Sequence, residues 1–228
     1  MRKVFIFTPI LLLFALSGCL QVTKTNLAET YPAMYSDPPL TILILPPVNN
    51  TTAADAKEYF ACSLSEALGL RGYHPLPVEA MFGILRDEGL YDSETVNPAV
   101  LANLKKHFGA DAVLYSTINK WDKSWFLTSG TLTIDAEFAL LSTASAETIW
   151  DYSVTTIVNL GSSSKNLLEA ALESAIKTAI SDYFPYARTA NIRTFREALP
   201  LGKHHPEAGT DGLTEIGPEK HGVIRIDR

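Results

Sequence analysis

The chain has 228 residues, a formal net charge of −6 at pH 7 and 46% hydrophobic residues. That length suits one well-buried domain with flanking segments. The acidic balance excludes the basic surface that nucleic acid demands, and excludes electrostatic adhesion to anionic lipid.

The first element is an export signal. Met1-Arg2-Lys3 gives a basic start, and Val4 to Leu16 is apolar except for Thr8 and Pro9. That run is too short to cross a hydrocarbon core about 30 Å thick. Leu16-Ser17-Gly18-Cys19 resembles the bacterial lipobox, in which the thiol is acylated and the chain is cut before the cysteine. Residues 1–18 are therefore expected to be a lipoprotein signal peptide and Cys19 the lipidated position. Membrane attachment would come through the N-terminal lipid, since stable anchoring takes two or more acyl chains. Loss of Arg2 and Lys3 makes the mature chain still more acidic. Leu20 stands where an aspartate would retain the protein at the inner membrane, so the expected address is the outer membrane. Cys62 then has no intramolecular partner, and is expected to be a buried small residue on a helix.

Residues 19–39, with Tyr31-Pro32 and Asp37-Pro38-Pro39, read as a tether, with partial docking of Tyr31, Met34 and Tyr35 left open. Leu40 to Leu45 is a continuous apolar run stopped by Pro46-Pro47, the pattern of a strand covered on both faces. Val48 to Thr52 reads as a loop. A helix follows to about Leu70, with Phe60, Leu64, Ala67 and Leu68 on its buried stripe and Gly72 ending it. Tyr73 to Pro77 suits a short edge strand. Helices are expected over about 78–88 and 98–107, the second opened by Asn97-Pro98 and closed by Gly109.

Three strands come next, over 111–121, 131–141 and 148–158. The middle one alternates strictly, with Leu132, Ile134, Ala136, Phe138 and Leu140 on one face and Thr131, Thr133, Asp135, Glu137 and Ala139 on the other. A helix with Leu167, Leu168, Ala171, Leu172, Ala175, Ile176, Ala179 and Ile180 on one face is expected to run until Pro185. Residues 200–228 are polar and rich in Gly and Pro, and are expected to be loosely held, with Gly222 to Ile226 as the one candidate edge strand. The order β-α-β-α-α-β-β-β-α fits an α+β class: a two-layer α/β sandwich, a mixed five-stranded sheet with helices on one face, over residues 40–199.

Ile44-Leu45-Pro46-Pro47-Val48-Asn49-Asn50-Thr51, Gly109-Ala110-Asp111-Ala112-Val113-Leu114 and Glu147-Thr148-Ile149-Trp150 together resemble a family of exported Gram-negative lipoproteins. That family includes a meningococcal surface-antigen candidate and has no established function. Its domain is similar to the TolB amino-terminal domain. It is more distantly similar to the curli-secretion lipoprotein and to lipoprotein activators of cell-wall synthases. The resemblance covers about residues 19–200. It implies a periplasm-facing outer-membrane lipoprotein of an assembly or envelope system, whose partners are other envelope lipoproteins or its own copies.

Chemistry is weakly marked. Asp135, Glu137 and Asp151 could supply paired carboxylates, but a solvated sheet face needs the same residues. His204-His205 with Glu207 and Asp211 lack regular metal-ligand spacing. Pro46 to Thr51 precedes a helix N-terminus without the glycines or lysine of a phosphate loop. No cofactor and no small-molecule substrate are called for, and no catalytic residue. Trp121, Trp125 and Phe126 cluster around the first hairpin; aromatic tips serve as binding anchors, and closure of the core is the alternative. Strands 131–141 and 148–158 also have the length of a transmembrane hairpin, as a curli-type secretion channel would use. The soluble sheet is preferred because the helices need its apolar face. The expected function is thus a non-enzymatic binding or assembly module, with the secretion channel as alternative and an envelope hydrolase last.

Overall fold

A computed structural model describes residues 25–53, 56–89, 97–126, 129–159, 184–217 and 219–226. In chain order the elements are β1 (Thr25–Asn26), α1 (Leu27–Thr30), α2 (Pro32–Ser36), β2 (Thr41–Ile44), β3 (Val48–Asn49) and α3 (Ala56–Leu70). There follow β4 (His74–Pro75), α4 (Val78–Asp87), α5 (Pro98–Phe108), β5 (Ala112–Phe126), β6 (Ser129–Ser142) and β7 (Thr148–Asn159). The chain closes with α6 (Phe184–Ala198), β8 (Glu215–Ile216) and β9 (His221–Ile226).

The fold is α+β, a large open mixed sheet carrying its main helical layer on one face. The sheet has seven strands, ordered β4-β2-β5-β6-β7-β9, with β3 beside β5; a second small sheet joins β1 to β8. Five strands were expected, and the two added have different causes. Pro46 and Pro47 have no N–H to donate, so the parallel ladder with β5 lapses there and resumes at Val48, paired with Thr117. What reads as a loop is thus a short continuation, held further by the Asn50 N–H on the Ile118 carbonyl at 2.9 Å. β9 is the anticipated edge strand, parallel to β7 with Val154 opposite Gly222.

The alternation of β6 does what its pattern requires. Leu132, Ile134, Ala136, Phe138 and Leu140 are all buried, in one cluster with Phe60 and Leu64 of α3 and Phe195 of α6. Four aromatic rings form its centre: Phe60 stacks on Phe138 at 5.8 Å, and Phe195 meets Phe138 at 5.2 Å and Trp150 at 5.7 Å. The apolar face of β6 and β7 is therefore taken up by helices, which removes the need for a bilayer to cover it. β2 is buried on both faces, as its unbroken apolarity demands: Ile42 and Ile44 enter the main cluster, while Leu43 and Leu45 join Val113 under Leu101 and Leu104 of α5.

Local signals explain the helix ends. The Asn97 side chain accepts the Val100 N–H at 3.0 Å, and Gly109 closes α5 at a φ of 66°. The helix expected to run until Pro185 lies, up to residue 183, outside the described residues. Pro185, expected to stop a helix, instead stands in the first turn of α6, where a missing N–H costs nothing.

The flanking segments differ most from expectation. From Thr25 onward the tether belongs to the fold: Leu27, Tyr31 and Met34 are buried in the main cluster. Residues 200–216 are not loosely held. A chain of turns satisfies their backbone, including His205 N–H to Gly202, Ala208 N–H to His205 and Thr214 N–H to Asp211. Small side chains permit the docking, because a Cβ on Gly202 would lie 2.7 Å from the Gly72 carbonyl oxygen. Composition alone reads such a stretch as loose; satisfied turns and close backbone contact make it part of the domain.

Candidate functional site

Two ends of the molecule carry the residues of interest. At the first end, the segment leading from Cys19 is sewn to the C-terminal segment. Thr25 pairs with Ile216 and Asn26 with Glu215, and the Leu27 and Ala28 N–H groups donate to the Thr214 and Gly212 carbonyls, each at 3.0 Å. The Tyr31 hydroxyl donates to the Asp151 carbonyl at 2.6 Å. Lys220 pairs with the Asp151 carboxylate at 2.5 Å, and its Nζ lies 5.1 Å from the Tyr31 ring centroid. Burial, reinforced by Asp151, pushes the Tyr31 phenol far above its ordinary range.

A second clamp lies beside the first. Asp211 accepts the Leu201 N–H at 2.7 Å, lies 3.3 Å from the Arg71 guanidinium and takes the Tyr35 hydroxyl at 3.3 Å. Arg71 also donates to the Leu199 carbonyl, and Tyr73 to that of Pro200 at 2.7 Å. Burial raises the Tyr35 and Tyr73 phenols and lowers the Arg71 guanidinium, with Asp211 opposing the last. Asp211, a weak metal-ligand candidate in the sequence, is thereby committed to holding three segments together. Among the described residues no group of three or more His, Cys, Asp and Glu is placed to hold a metal.

Cys19 lies among residues 1–24, outside those described. Covalent geometry still limits its reach: Thr25 is six residues further along the chain, at most about 20 Å whatever the conformation between them. Lipid attached at Cys19 would hold this end of the domain near the membrane.

The second end is the β5–β6 hairpin. The Asp151 carbonyl that binds Tyr31 lies on the rung Tyr115–Ala139–Asp151. Trp125, paired with Gly130, stands ten residues further along β5, about 33 Å at the rise of a strand. Phe126 pairs with Ser129 at the tip; the side chains of Trp125 and Phe126 lie outside the description. Trp121 is separated from them. A register shift between Ile118 and Lys120 turns it to the covered face, where it is 6% exposed within the main cluster. Of the three aromatics, Trp121 therefore closes the core and offers no surface.

The uncovered face of β5–β6–β7 carries a groove of about 410 Å³ lined by Tyr115, Thr117, Glu137, Asp151 and Lys220 among others. Two of its carboxylates are already engaged: Glu137 accepts from Asn119 at 2.8 Å, and Asp151 from Lys220. Burial pushes the Tyr115 phenol up to about 12, so it stays protonated at neutral pH. Cys62 is exposed, not buried as expected, because it lies off the stripe formed by Ala61, Leu64 and Leu68. Partial desolvation of its thiol by the surrounding protein, with Glu79 and Glu58 nearby, raises the thiol pKa and disfavours the nucleophilic thiolate.

Sequence comparison decides the lineage: the family model GNA1162-like, described as lipoprotein, matches residues 29–199. The chain belongs to the GNA1162-like lipoprotein family. The match begins inside the segment that reads as a tether and ends at the close of α6. The lipoprotein NMB1124/NMB1162 of Neisseria meningitidis serogroup B is 26% identical over 168 residues, 74% of this chain and 77% of that one. The crystal structure of lipoprotein GNA1162 from Neisseria meningitidis is 25% identical with a TM-score of 0.48, over 63% of this chain and 99% of that one. The LpoB C-terminal domain from Salmonella enterica is 18% identical with a TM-score of 0.37, over 57% of this chain and 94% of that one.

Sequence reasoning singled out Tyr31 and Tyr35, weighed Asp211 only as a weak metal ligand, and missed Arg71 and Lys220. No local pattern marks the pairs Lys220–Asp151 and Arg71–Asp211, whose members lie 69 and 140 positions apart in the chain.

Proposed function

We propose that this lipoprotein is acylated at Cys19, sits in the outer membrane facing the periplasm, and works as a non-enzymatic binding or assembly module. Its partners would be other envelope lipoproteins or further copies of itself, engaged through the hairpin end around Trp125 and Phe126. The observation that carries this is the separation of the two ends. The segment after Cys19 is sewn to the domain at one end, and the hairpin tip stands about 33 Å away along β5. A lipid-held domain of this shape presents its hairpin to whatever lies off the membrane.

Replacement of Cys19 by serine should leave an unprocessed precursor that fails to take up labelled palmitate; mature, membrane-bound protein in that variant would sink the anchoring. Trp125→Ala with Phe126→Ala should remove the crosslinked species seen in intact envelopes while leaving lipidation untouched. Unchanged crosslinking would dismiss the hairpin as the contact.

A further inference from the structure

The end that receives the chain from Cys19 also carries the most exposed large apolar residue among those described. Leu213 is 85% exposed, against 56% for Leu70 and 51% for Val223. A single exposed leucine is ordinary on a protein surface. Two features of its setting are not. Its neighbours on both sides are pinned, since the Gly212 carbonyl accepts from the Ala28 N–H and the Thr214 carbonyl from Leu27. The side chain is thus held outward on a fixed turn and is not free to fold back onto the core. The backbone of the turn is also bonded to Leu27 and Ala28, just after Thr25, which is no more than about 20 Å of chain from Cys19.

We propose that Leu213 is a membrane-contact residue. The Gly212–Thr214 turn rests shallowly in the lipid surface that holds the acyl chains of Cys19, and sets the domain with its hairpin pointing away. This rests on acylation at Cys19, as proposed above. The acyl chains supply the affinity, and Leu213 supplies the orientation. Anionic lipid is not required, since the chain is acidic and the contact is apolar. Without a second fixed point, a domain on a short leash would sample many attitudes; one inserted leucine beside the leash restricts them.

The test uses the full acylated protein in vesicles of phosphatidylethanolamine and phosphatidylglycerol containing nitroxide-labelled lipid. Cys62→Ser removes the exposed thiol, and single cysteines at Leu213 or at exposed Ser124 on β5 take an environment-sensitive fluorophore. Mass analysis of the N-terminal peptide first establishes whether Cys19 carries lipid. Given lipid on Cys19, the probe at position 213 should be quenched several-fold more than the probe at 124, and should emit to the blue. A probe at exposed Thr214 should lose that quenching several-fold when Leu213→Asp is added, with the fraction of protein on vesicles unchanged. Lipid on Cys19 with equal quenching at 213 and 124 would overturn the orientation and leave the anchoring intact. Absence of lipid on Cys19 would overturn both. A blue shift at 213 that depends on protein concentration and not on vesicles would assign the turn to a second copy, and would overturn the lipid contact.

Discussion

The two ends of the long β5–β6 ribbon are built on different principles. At the end that takes the chain from Cys19, the proposed anchor end, four separate stretches meet: residues 25–36, the close of α3, the start of β7 and residues 199–220. They are joined by hydrogen bonds and ion pairs whose partners are remote in sequence, such as Arg71 with Asp211 and Lys220 with Asp151. At the hairpin end a single antiparallel pair, Trp125 with Gly130 and Phe126 with Ser129, carries the chain outward. Between them lies the shared aromatic core. Load is borne differently at the two: the end that takes the chain from Cys19 is cross-braced, and the far end relies on local strand pairing.

The largest expected effect removes what both ends share. Trp150 is fully buried, and its indole N–H donates to the Ala198 carbonyl at 2.9 Å. Trp150→Ala should lower unfolding free energy by about 3–5 kcal/mol, read as a fall in the urea midpoint, with both ends losing amide protection together. A variant in which only one end exchanged would refute a common core.

Breaking the brace should discriminate between the ends. Asp211→Ala leaves Arg71, whose side chain is only 13% exposed, without its carboxylate, and should cost about 2–3 kcal/mol. Hydrogen exchange should quicken across 199–216 and 25–36 while the β5–β6 ladder keeps its protection. Gly202→Ala attacks the same end by sterics alone, placing a Cβ 2.7 Å from the Gly72 carbonyl oxygen. A loss of about 1–3 kcal/mol is expected, visible as protease cleavage within 199–214.

Alkali should act on the anchor end as well. The Tyr31, Tyr35 and Tyr73 phenols are all raised by burial first, with Asp151 or Asp211 adding to the effect. A raised native pKa means that stability is full below the unfolded tyrosine value of about 10, and is lost as pH rises above it. Tyrosinate absorbance should therefore appear late and in step with release of residues 25–36; early ionisation of all three with that segment still protected would contradict the burial. The smallest effect is expected on the outer half of the ribbon. Ser124 is exposed, so Ser124→Ala should change stability by no more than about 0.5 kcal/mol and leave the anchor end unaltered.

Much of the fold was legible because its signals are local. Strict alternation along β6 selects one face for the core, since a strand's side chains repeat every two residues. Unbroken apolarity in Leu40 to Leu45 calls for cover on both faces, which α3 and α5 provide. Asn97-Pro98 and Gly109 bracket α5 through capping and a left-handed terminus. The failures share a cause. Pro46-Pro47 reads as a stop, but two missing donors interrupt a ladder without forbidding its resumption at Val48. Trp121 reads as one of an aromatic trio, but a bulge re-aims it into the core.

In this protein the local pattern of the chain settles the order of the central elements and the face of β6 that is buried, and supplies the resemblance of Leu16-Ser17-Gly18-Cys19 to a lipobox. These follow from short-range chemistry: a four-residue motif, caps, and a period of two or 3.6 residues. Long-range packing makes a polar tail dock, sets Asp211 against Arg71, and leaves Leu213 exposed beside the segment that leads from Cys19. Those features depend on pairing between residues far apart in the chain. Such pairing is set by which surfaces remain to be satisfied once the core has closed.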